Sequence, residues 1–259
     1  MEIEPACNKN GKICPNKLGH ILMRICESGK LKRYKLTTES AINLHYDSKY
    51  DKYSITVPEK YKSVENGAKN NTYAGIDSGI RKFQTCITDN EAIKFGTNLR
   101  DKIKKILKKI DKNNNNKEIS NNVRKERNDK HYRKIDNMVD ETHWKIINFL
   151  TNNYKRIYIG KINIKSIVSK ENNAIDKMTK RIGLLMKHYE FRQRLENKCY
   201  AKRVMYEEVD ERFTSKTCSV CGSYKADLGG NEIYECSYCG NTQDRDISAG
   251  RCMVLKETK

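Results

Sequence analysis

The feature that most restricts the fold of this chain is a pair of Cys-x-x-Cys motifs near the C-terminus. The motifs are Cys218/Cys221 and Cys236/Cys239, and each is followed directly by a glycine. The 14 residues between them come close to the spacing of Cys₄ zinc sites. This spacing predicts a Zn²⁺ ion bound by four thiolates. Because four thiolates at a tetrahedral site leave no position open for water, the predicted zinc is structural.

Two disulfides, or four unrelated thiols, are the alternative interpretations of these cysteines. Disulfides persist in oxidising compartments, and nothing in the sequence indicates secretion or insertion into a membrane. Residues 1–18 lack the apolar segment of a signal peptide, and no apolar run reaches the ~18–20 residues that span a bilayer. We therefore expect zinc, an intracellular protein in a reducing compartment such as the cytoplasm or nucleus of a host cell, and no membrane partner.

The charge balance predicts a polyanionic partner. The 259 residues include 52 lysines and arginines and 33 aspartates and glutamates, which gives a formal net charge of 52 − 33 = +19. A field of this sign attracts nucleic acid or an anionic membrane surface. Because nothing else in the sequence indicates a membrane, nucleic acid is the expected partner. A zinc module that binds no nucleic acid is the least favoured interpretation.

Hydrophobic patterning predicts an α/β chain that follows a small antiparallel sheet. Residues 1–18 are polar and predicted to be irregular, alternating runs at 19–57 predict the sheet, and the composition of 59–71 indicates a linker. Strands are predicted at 73–77, 83–87, 91–95, 154–164 and 204–209, and helices at 98–112, 118–151 and 176–203. A terminal helix that includes 252–255 follows the cysteines. This alternation is typical of α/β folds.

The same patterning makes three local predictions. Trp144 is expected in the core and His143 on the surface of its helix. Residues 166–173 are polar and expected to be mobile, and the asparagines at 113–116 are expected to separate two helices. The helix at 176–203 is expected to bury five residues, namely Ile182, Leu185, Met186, Tyr189 and Leu195.

Acidic residues at the ends of two predicted elements are candidates for metal chemistry. Asp77 closes an apolar strand, where a lone aspartate is more often a turn cap, although burying it requires a cation or a hydrogen bond. Asp244-Arg245-Asp246 begins five residues after Cys239 and leads into Ile-Ser-Ala-Gly, a small-residue run that suits a closely packed helix. A segment that is stabilised by zinc and ends in a carboxylate at the start of a helix would hold that carboxylate in a fixed position.

Together these motifs resemble a known family. The strand Gly75-Ile76-Asp77-Ser78-Gly79, the T-S-K-T-C-x-x-C-G…C-x-x-C-G segment and the closing D-R-D are similar in order and spacing to those of the transposon-encoded TnpB nucleases and their Fanzor relatives. The likeness covers Gly19 to the C-terminus. It implies an RNase H-like (RuvC) nuclease domain at 72–259 with a zinc ribbon inserted at 213–243, preceded by a partial β-barrel wedge domain and linker at 19–71.

The resemblance also implies an activity and partners. Family members are RNA-guided DNA endonucleases of mobile elements, related to the type V CRISPR effectors. The chain is therefore expected to bind DNA and a guide RNA, to hold catalytic Mg²⁺ besides Zn²⁺, and to take part in transposition and DNA recombination. A separate recombinase encoded by the same element is a further expected partner. Family proteins are usually longer, so the resemblance implies an N-terminally shortened chain.

The resemblance assigns metal-binding roles to two of the acids. Asp77 corresponds to the first acid of the family and Asp246 to the last, which leaves Asp244 as a bystander or a supporting residue. Carboxylates suit this role because Mg²⁺ prefers oxygen ligands. Two ions about 3.5–4 Å apart can activate a water and stabilise the leaving oxygen of a phosphodiester.

The middle acid departs from the family pattern, because its usual glutamate position is Gly160 here. One interpretation moves the role to a glutamate just before the ribbon, with Glu211 as first choice, Glu208 as second and Glu207 as the remaining candidate. The other interpretation is a catalytically decayed or truncated protein that only binds nucleic acid.

Overall fold

The computed structural model describes residues 2–3, 42–48, 51–56, 63–68, 72–88, 91–162, 164–169, 174–209, 216–226 and 232–257. The chain divides into two compact units, Met1–Lys62 and Ser63–Lys259. None of the helices formed by the described residues is both long and apolar enough to cross a membrane.

The first unit contains a three-stranded antiparallel sheet of β1 (Glu2–Ile3), β2 (Ile42–Asp47) and β3 (Lys52–Thr56), in the order β1-β2-β3. The hairpin of β2 and β3 confirms the last two strands predicted in this region, and Leu44 pairs with Ile55 across it. The predicted strands between residues 19 and 41, and most of the predicted irregular N-terminus, lie outside the described residues.

The second unit is organised around a five-stranded sheet of β4 (Tyr73–Ser78), β5 (Gln84–Ile87), β6 (Ala92–Phe95), β7 (Arg156–Gly160) and β8 (Met205–Val209), in the order β6-β5-β4-β7-β8. The central strand β4 is parallel to β7, and β7 is parallel to β8, whereas β5 and β6 are antiparallel to their neighbours. All five strands were predicted from the sequence.

Helices cover both faces of this sheet. One face packs its apolar side chains, such as Ile76 and Ile159, into the large core formed with the long helices. The C-terminal helix lies against the other face, where Val254 packs with Tyr158 and Val209. The helices are α1 (Leu99–Asn115), α2 (Asn121–Asn153), α3 (Ile164–Val168), α4 (Lys177–Leu185), α5 (His188–Ala201) and α6 (Arg245–Glu257).

Helices α1 and α2 form as their apolar spacing predicts, with small differences in their bounds. Ser120 caps α2 by accepting a hydrogen bond from the Val123 N–H at 3.4 Å. Helix α1 continues through the first three asparagines rather than ending at residue 112. The amide of Asn113 donates to Oδ1 of Asn128 on α2 at 3.1 Å, so asparagine contributes a contact between the helices here.

The helix predicted at 176–203 is two helices, which corrects the expected burial. Helices α4 and α5 meet at Lys187, which adopts the left-handed conformation at φ 53° and so breaks the helical periodicity. After the break the buried stripe restarts at His188 and continues through Phe191 and Leu195. Tyr189, expected inside, is 64% exposed because it lies off this stripe.

His143 and Trp144 occupy the reverse of their expected positions. His143 is fully buried, and its ring stacks on Phe83 with a centroid separation of 5.0 Å. Its Nε2 lies 3.0 Å from the Met186 carbonyl, which explains how a polar ring is tolerated there. Trp144 is 43% exposed, with the Arg194 guanidinium 5.7 Å from its ring centroid.

Two segments predicted to be unstructured have defined contacts. Residues 164–168, which overlap the stretch expected to be mobile, form α3. Residues 63–68, inside the composition-based linker, belong to the second unit and pack on the rest of it through the buried side chain of Asn66. Its amide donates to the carbonyls of Thr151 and Tyr154 at 3.0 and 2.8 Å, and so satisfies carbonyls at the end of α2.

Candidate metal centre and active site

The four cysteines of the two motifs meet at one point. Their sulfur atoms all lie within 4.8 Å of one another. The sulfurs of Cys218 and Cys239 are 3.7 Å apart, and those of Cys221 and Cys236 are 3.6 Å apart. A tetrahedral zinc with Zn–S bonds of about 2.3 Å requires sulfur–sulfur distances of about 3.8 Å. The cluster therefore fits the zinc ribbon that the sequence predicts.

Each motif forms a tight turn of the same geometry. The N–H of Gly222 donates to the Cys218 carbonyl at 2.9 Å, and the N–H of Gly240 donates to the Cys236 carbonyl at 3.0 Å. Both glycines have positive φ values, 75° and 71°, which side-chain-bearing residues rarely adopt. The glycine after each motif thus favours the turn in which both sulfurs of a pair point at one ion.

Ser223 is a supporting residue that the motif search missed. Its hydroxyl lies 3.2 Å from the sulfur of Cys221 and 3.1 Å from that of Cys236. The hydrogen bond between Ser223 and Cys236, together with backbone N–H groups of the second motif, lowers the pKa of Cys236, whereas burial and hydrogen bonds with the other thiols raise that of Cys239. A lower pKa favours the thiolate, which is the form that binds metal.

The ribbon is joined directly to the helix that follows it. Its strands β9 (Ile233–Glu235) and β10 (Thr242–Asp244) are antiparallel, and α6 begins at the next residue. The carbonyl of Thr217, next to the first zinc motif, accepts hydrogen bonds from Ser248 Oγ at 3.5 Å and Cys252 Sγ at 3.3 Å. The position of α6 is therefore tied to the fold of the cysteine ribbon.

Helix α6 lies unusually close to the sheet where it crosses β4 and β5. A Cβ built on Gly75 of β4 would lie 2.9 Å from the carbonyl oxygen of Gly250. A Cβ on Gly250 would lie 2.1 Å from Cδ1 of Ile87, the residue that pairs with Gly75 on β5. Only glycine at both positions allows this approach.

The crossing places Asp77 and Asp246 at the same end of the sheet. Asp77 lies two residues after Gly75, on the same strand face and about 7 Å further along β4. Asp246 lies four residues before Gly250, about 6 Å towards the start of α6. That start lies at the C-terminal end of β4, because Lys82, in the turn that follows β4, reaches Asp244 at 3.5 Å.

The sheet register identifies the neighbours of Asp77. Ile76 pairs with Ile159, so the next residues on these parallel strands, Asp77 and Gly160, also lie side by side. Gly160 in turn pairs with Val209 of β8. On the other side Asp77 pairs with Thr85, and Thr85 with Lys94. The row across the sheet is thus Lys94, Thr85, Asp77, Gly160 and Val209, with a single carboxylate.

The three candidate glutamates have different positions. Glu208 accepts a hydrogen bond from the Tyr206 hydroxyl at 2.9 Å and lies 3.4 Å from Arg192 Nε of α5, on the sheet face opposite to α6. The second-choice glutamate therefore faces away from Asp77. Glu207 is opposite Tyr158 on the α6 face, two residues before Val209. Glu211, the first choice, lies outside the described residues.

Asp244 is more than a bystander in the structure. Its Oδ2 forms ion pairs with Lys94 and, at 3.5 Å, with Lys82. Burial alone would raise the pKa of this carboxyl, but the hydrogen bond from Lys94 and the two ammonium charges outweigh burial and lower it. Sequence reasoning missed both lysines because only the sheet register and the turn after β4 bring them to Asp244.

Two family models match the chain. The model described as "Probable transposase" matches residues 52–171, and that of the Cas12f1-like TNB domain matches residues 188–253. A TnpB-like protein of Acanthamoeba polyphaga mimivirus is 33% identical over 261 aligned positions, which cover 96% of this chain and 48% of the relative. A second one from the same virus is 34% identical over 262 positions, with the same coverage. Over nearly its whole length the chain is therefore TnpB-like in sequence.

The TnpB-like chain spans about half the length of these relatives. Two solved structures share its fold. The match to a CRISPR-Cas12f ternary complex covers 95% of this chain and 50% of the solved chain, with a TM-score of 0.51 and 17% sequence identity. The match to a Cas12f1-sgRNA-target DNA complex covers 93% of this chain and 48% of the solved chain, with a TM-score of 0.59 and 16% sequence identity. These matches, the central mixed sheet and the cysteine cluster confirm the predicted RuvC-type α/β fold with a zinc ribbon.

Proposed function

We propose that this TnpB-like chain is the nuclease part of a mobile-element protein that cuts DNA with divalent metal ions under the guidance of an RNA. The observation that carries the proposal is the crossing of α6 over β4 at Gly75 and Gly250. It brings Asp77 and Asp246, which are 169 positions apart in the sequence, to the same end of one sheet face.

Asp77 and Asp246 are the acids that would hold the metal ions, assisted by a glutamate. Bound Mg²⁺ supplies an activated water and stabilises the leaving oxygen of the phosphodiester. The carboxylates contribute hard oxygen ligands of the kind that Mg²⁺ prefers. The strand positions the first of them and the ribbon-anchored helix the second, so the sheet, the helix and the structural zinc all contribute to one site.

Glu211 remains our choice for the third acid. Val209 lies in the same row as Asp77, and Glu211 follows it by two residues, a tether of at most about 7 Å. Glu208 is a poor candidate because Tyr206 and Arg192 hold it on the other face. Glu207 is the alternative, because it shares the sheet face of Asp77.

DNA and a guide RNA are the proposed partners. The net charge of +19 suits polyanions, and one structure that shares the fold is described as a complex with sgRNA and target DNA. A recombinase encoded by the same element is a further proposed partner, on family resemblance alone. The roles in transposition and DNA recombination rest on the same resemblance.

Metal binding by the full chain tests this proposal without knowledge of the guide or target. Calorimetric titration of the zinc-loaded protein with Mn²⁺ should show binding that Asp77→Asn and Asp246→Asn each abolish. Glu126→Gln, which removes an exposed acid on α2, is the control and should bind as the wild type does. Cleavage assays with the RNA of the element should then show the same pattern.

The second candidate function is nucleic-acid binding without catalysis. Gly160 favours it, because the strand position beside Asp77 carries no acid. A decayed protein of this kind would bind DNA or RNA but show no Mn²⁺ binding that depends on Asp77. Wild-type Mn²⁺ binding lost in Asp77→Asn would eliminate this candidate.

A further inference from the structure

Asp244 occupies the junction between the ribbon and the helix that carries Asp246. It is the last residue of β10, and α6 begins immediately after it. One carboxylate oxygen, Oδ1, accepts a hydrogen bond from the Ile247 N–H at 3.4 Å, as a helix N-cap does. The other, Oδ2, contacts the ammonium groups of Lys94 and Lys82.

The two lysines come from different parts of the sheet. Lys94 lies on β6 in the row of Asp77, two strands and therefore about 10 Å away. Lys82 lies in the turn between β4 and β5, just beyond the end of the strand that carries Asp77. A single carboxylate thus ties the first turn of α6 both to β6 and to the turn beyond the end of β4.

The surroundings of these ion pairs distinguish them from ordinary surface contacts. The side chains of Asp244, Lys94 and Lys82 are only 24%, 30% and 23% exposed, so solvent screens them less than a surface pair. The neighbouring pair of Arg81 and Glu232 also joins the sheet turn to the ribbon, but it is 68% and 64% exposed. Exposed pairs of that kind contribute little.

We infer that Asp244 is a positioning residue: its contacts with Lys94 and Lys82 hold the start of α6 in place, so that Asp246 meets Asp77 at a shared metal site. The inference rests on the proposed function. Without the carboxylate, the partly buried ammonium groups of Lys94 and Lys82 would repel each other near the site. The start of α6 would then be held less firmly, and the site would bind a metal cation more weakly.

Variants can separate the ion pairs from simple helix capping. Ser is a good N-cap residue, so Asp244→Ser keeps the cap and removes only the charge. Lys94→Gln removes one partner and leaves Asp244 intact, whereas Lys94→Arg keeps the positive charge. Glu232→Gln is the matched control, because it breaks only the exposed ribbon-to-sheet pair.

The measurement is Mn²⁺ affinity by calorimetry, with zinc content and circular dichroism to verify folding. We expect Asp244→Ser and Lys94→Gln to weaken Mn²⁺ binding roughly 10–100-fold, as residues supporting metal ligands do. Lys94→Arg should restore most of the affinity, and Glu232→Gln should match the wild type.

Two results would overturn the inference, and they differ. If the wild type binds Mn²⁺ and folded Asp244→Ser and Lys94→Gln bind it equally well, Asp244 is not a positioning residue, although the proposed function stands. If the wild type binds no Mn²⁺, the proposed function and this inference are both wrong.

Discussion

Gly75 and Gly250 face each other where α6 crosses β4, and a methyl group on Gly75 would lie 2.9 Å from the Gly250 carbonyl oxygen. This contact sets the height of the helix above the sheet. It is therefore the packing relationship that brings the start of α6, with Asp244 and Asp246, down to the end of β4.

Gly75→Ala should destabilise the protein. The new methyl would overlap both Val254 Cγ2, at 2.7 Å, and the backbone of Gly250, which cannot move aside as a side-chain end can. We expect the free energy of unfolding in urea to fall by about 1–3 kcal/mol, a typical cost of overpacking. Gly67→Ala is the control, because nothing lies within 4 Å of its Cβ position. Equal stability of the two variants would contradict this packing.

Removal of zinc should loosen the start of α6 as well as the ribbon. Structural zinc contributes on the order of 10 kcal/mol of apparent binding energy to folding, and Thr217 links the first zinc motif to Ser248 and Cys252. After chelation we expect faster amide hydrogen exchange in 232–248, while the buried half of α2 stays protected. Restored zinc should restore protection. Unchanged exchange at 245–248 would show that α6 is positioned independently of the metal.

Stability should fall as the pH is lowered below about 6.5. Burial is the main cause that lowers the pKa of His143 to about 4 and that of His188 to about 3. The unfolded chain takes up protons on these side chains near pH 6.5, whereas the folded protein does so only near pH 4 and 3. Between about pH 6.5 and pH 4 the unfolded state therefore binds more protons than the folded state. Lowering the pH over this range stabilises the unfolded state, so the free energy of unfolding decreases.

A single substitution can test the histidine contribution. Among the described residues neither ring nitrogen of His188 has a hydrogen-bond partner, and its ring lies against Phe83. His188→Phe should therefore flatten the pH dependence of urea unfolding below pH 6.5 and keep the fold. An unaltered slope in His188→Phe would contradict the burial of a neutral ring.

Binding to nucleic acid should weaken steeply with salt. Helix α2 has 33 residues, about 50 Å, and its first half carries exposed cations that include Lys125 and Arg127. If they contact phosphates, Lys125→Gln and Arg127→Gln should each lower the log–log salt slope on duplex DNA by about 0.9. Lys145→Gln, whose lysine pairs with Glu141, is the control. A flat salt response in the wild type would contradict nucleic-acid binding altogether.

The sequence was sufficient for features whose signals are local. The five strands around Asp77 have apolar patterns, and the four cysteines with their glycines have a spacing that few other sites share. The phase of α5 could not be predicted in this way, because Lys187 leaves the helical conformation between Met186 and His188, with no adjacent glycine or proline to mark the break.

The supporting contacts of the candidate site depend on tertiary register and left no local pattern. Lys94 and Asp244 are 150 positions apart and meet only because β6 and α6 reach the same sheet end. The orientation of Glu208 likewise follows from which strand face packs on α5. A pattern search could place three glutamates near the ribbon but could not tell which face each one occupies.

The most direct measurement is the anomalous scattering of Mn²⁺ in crystals of the full chain. We expect two peaks about 3.5–4 Å apart, both within coordination distance of the carboxylates of Asp77 and Asp246. Crystals that bind no Mn²⁺ there, or that hold the two carboxyl groups too far apart to share an ion, would contradict the proposed nuclease site.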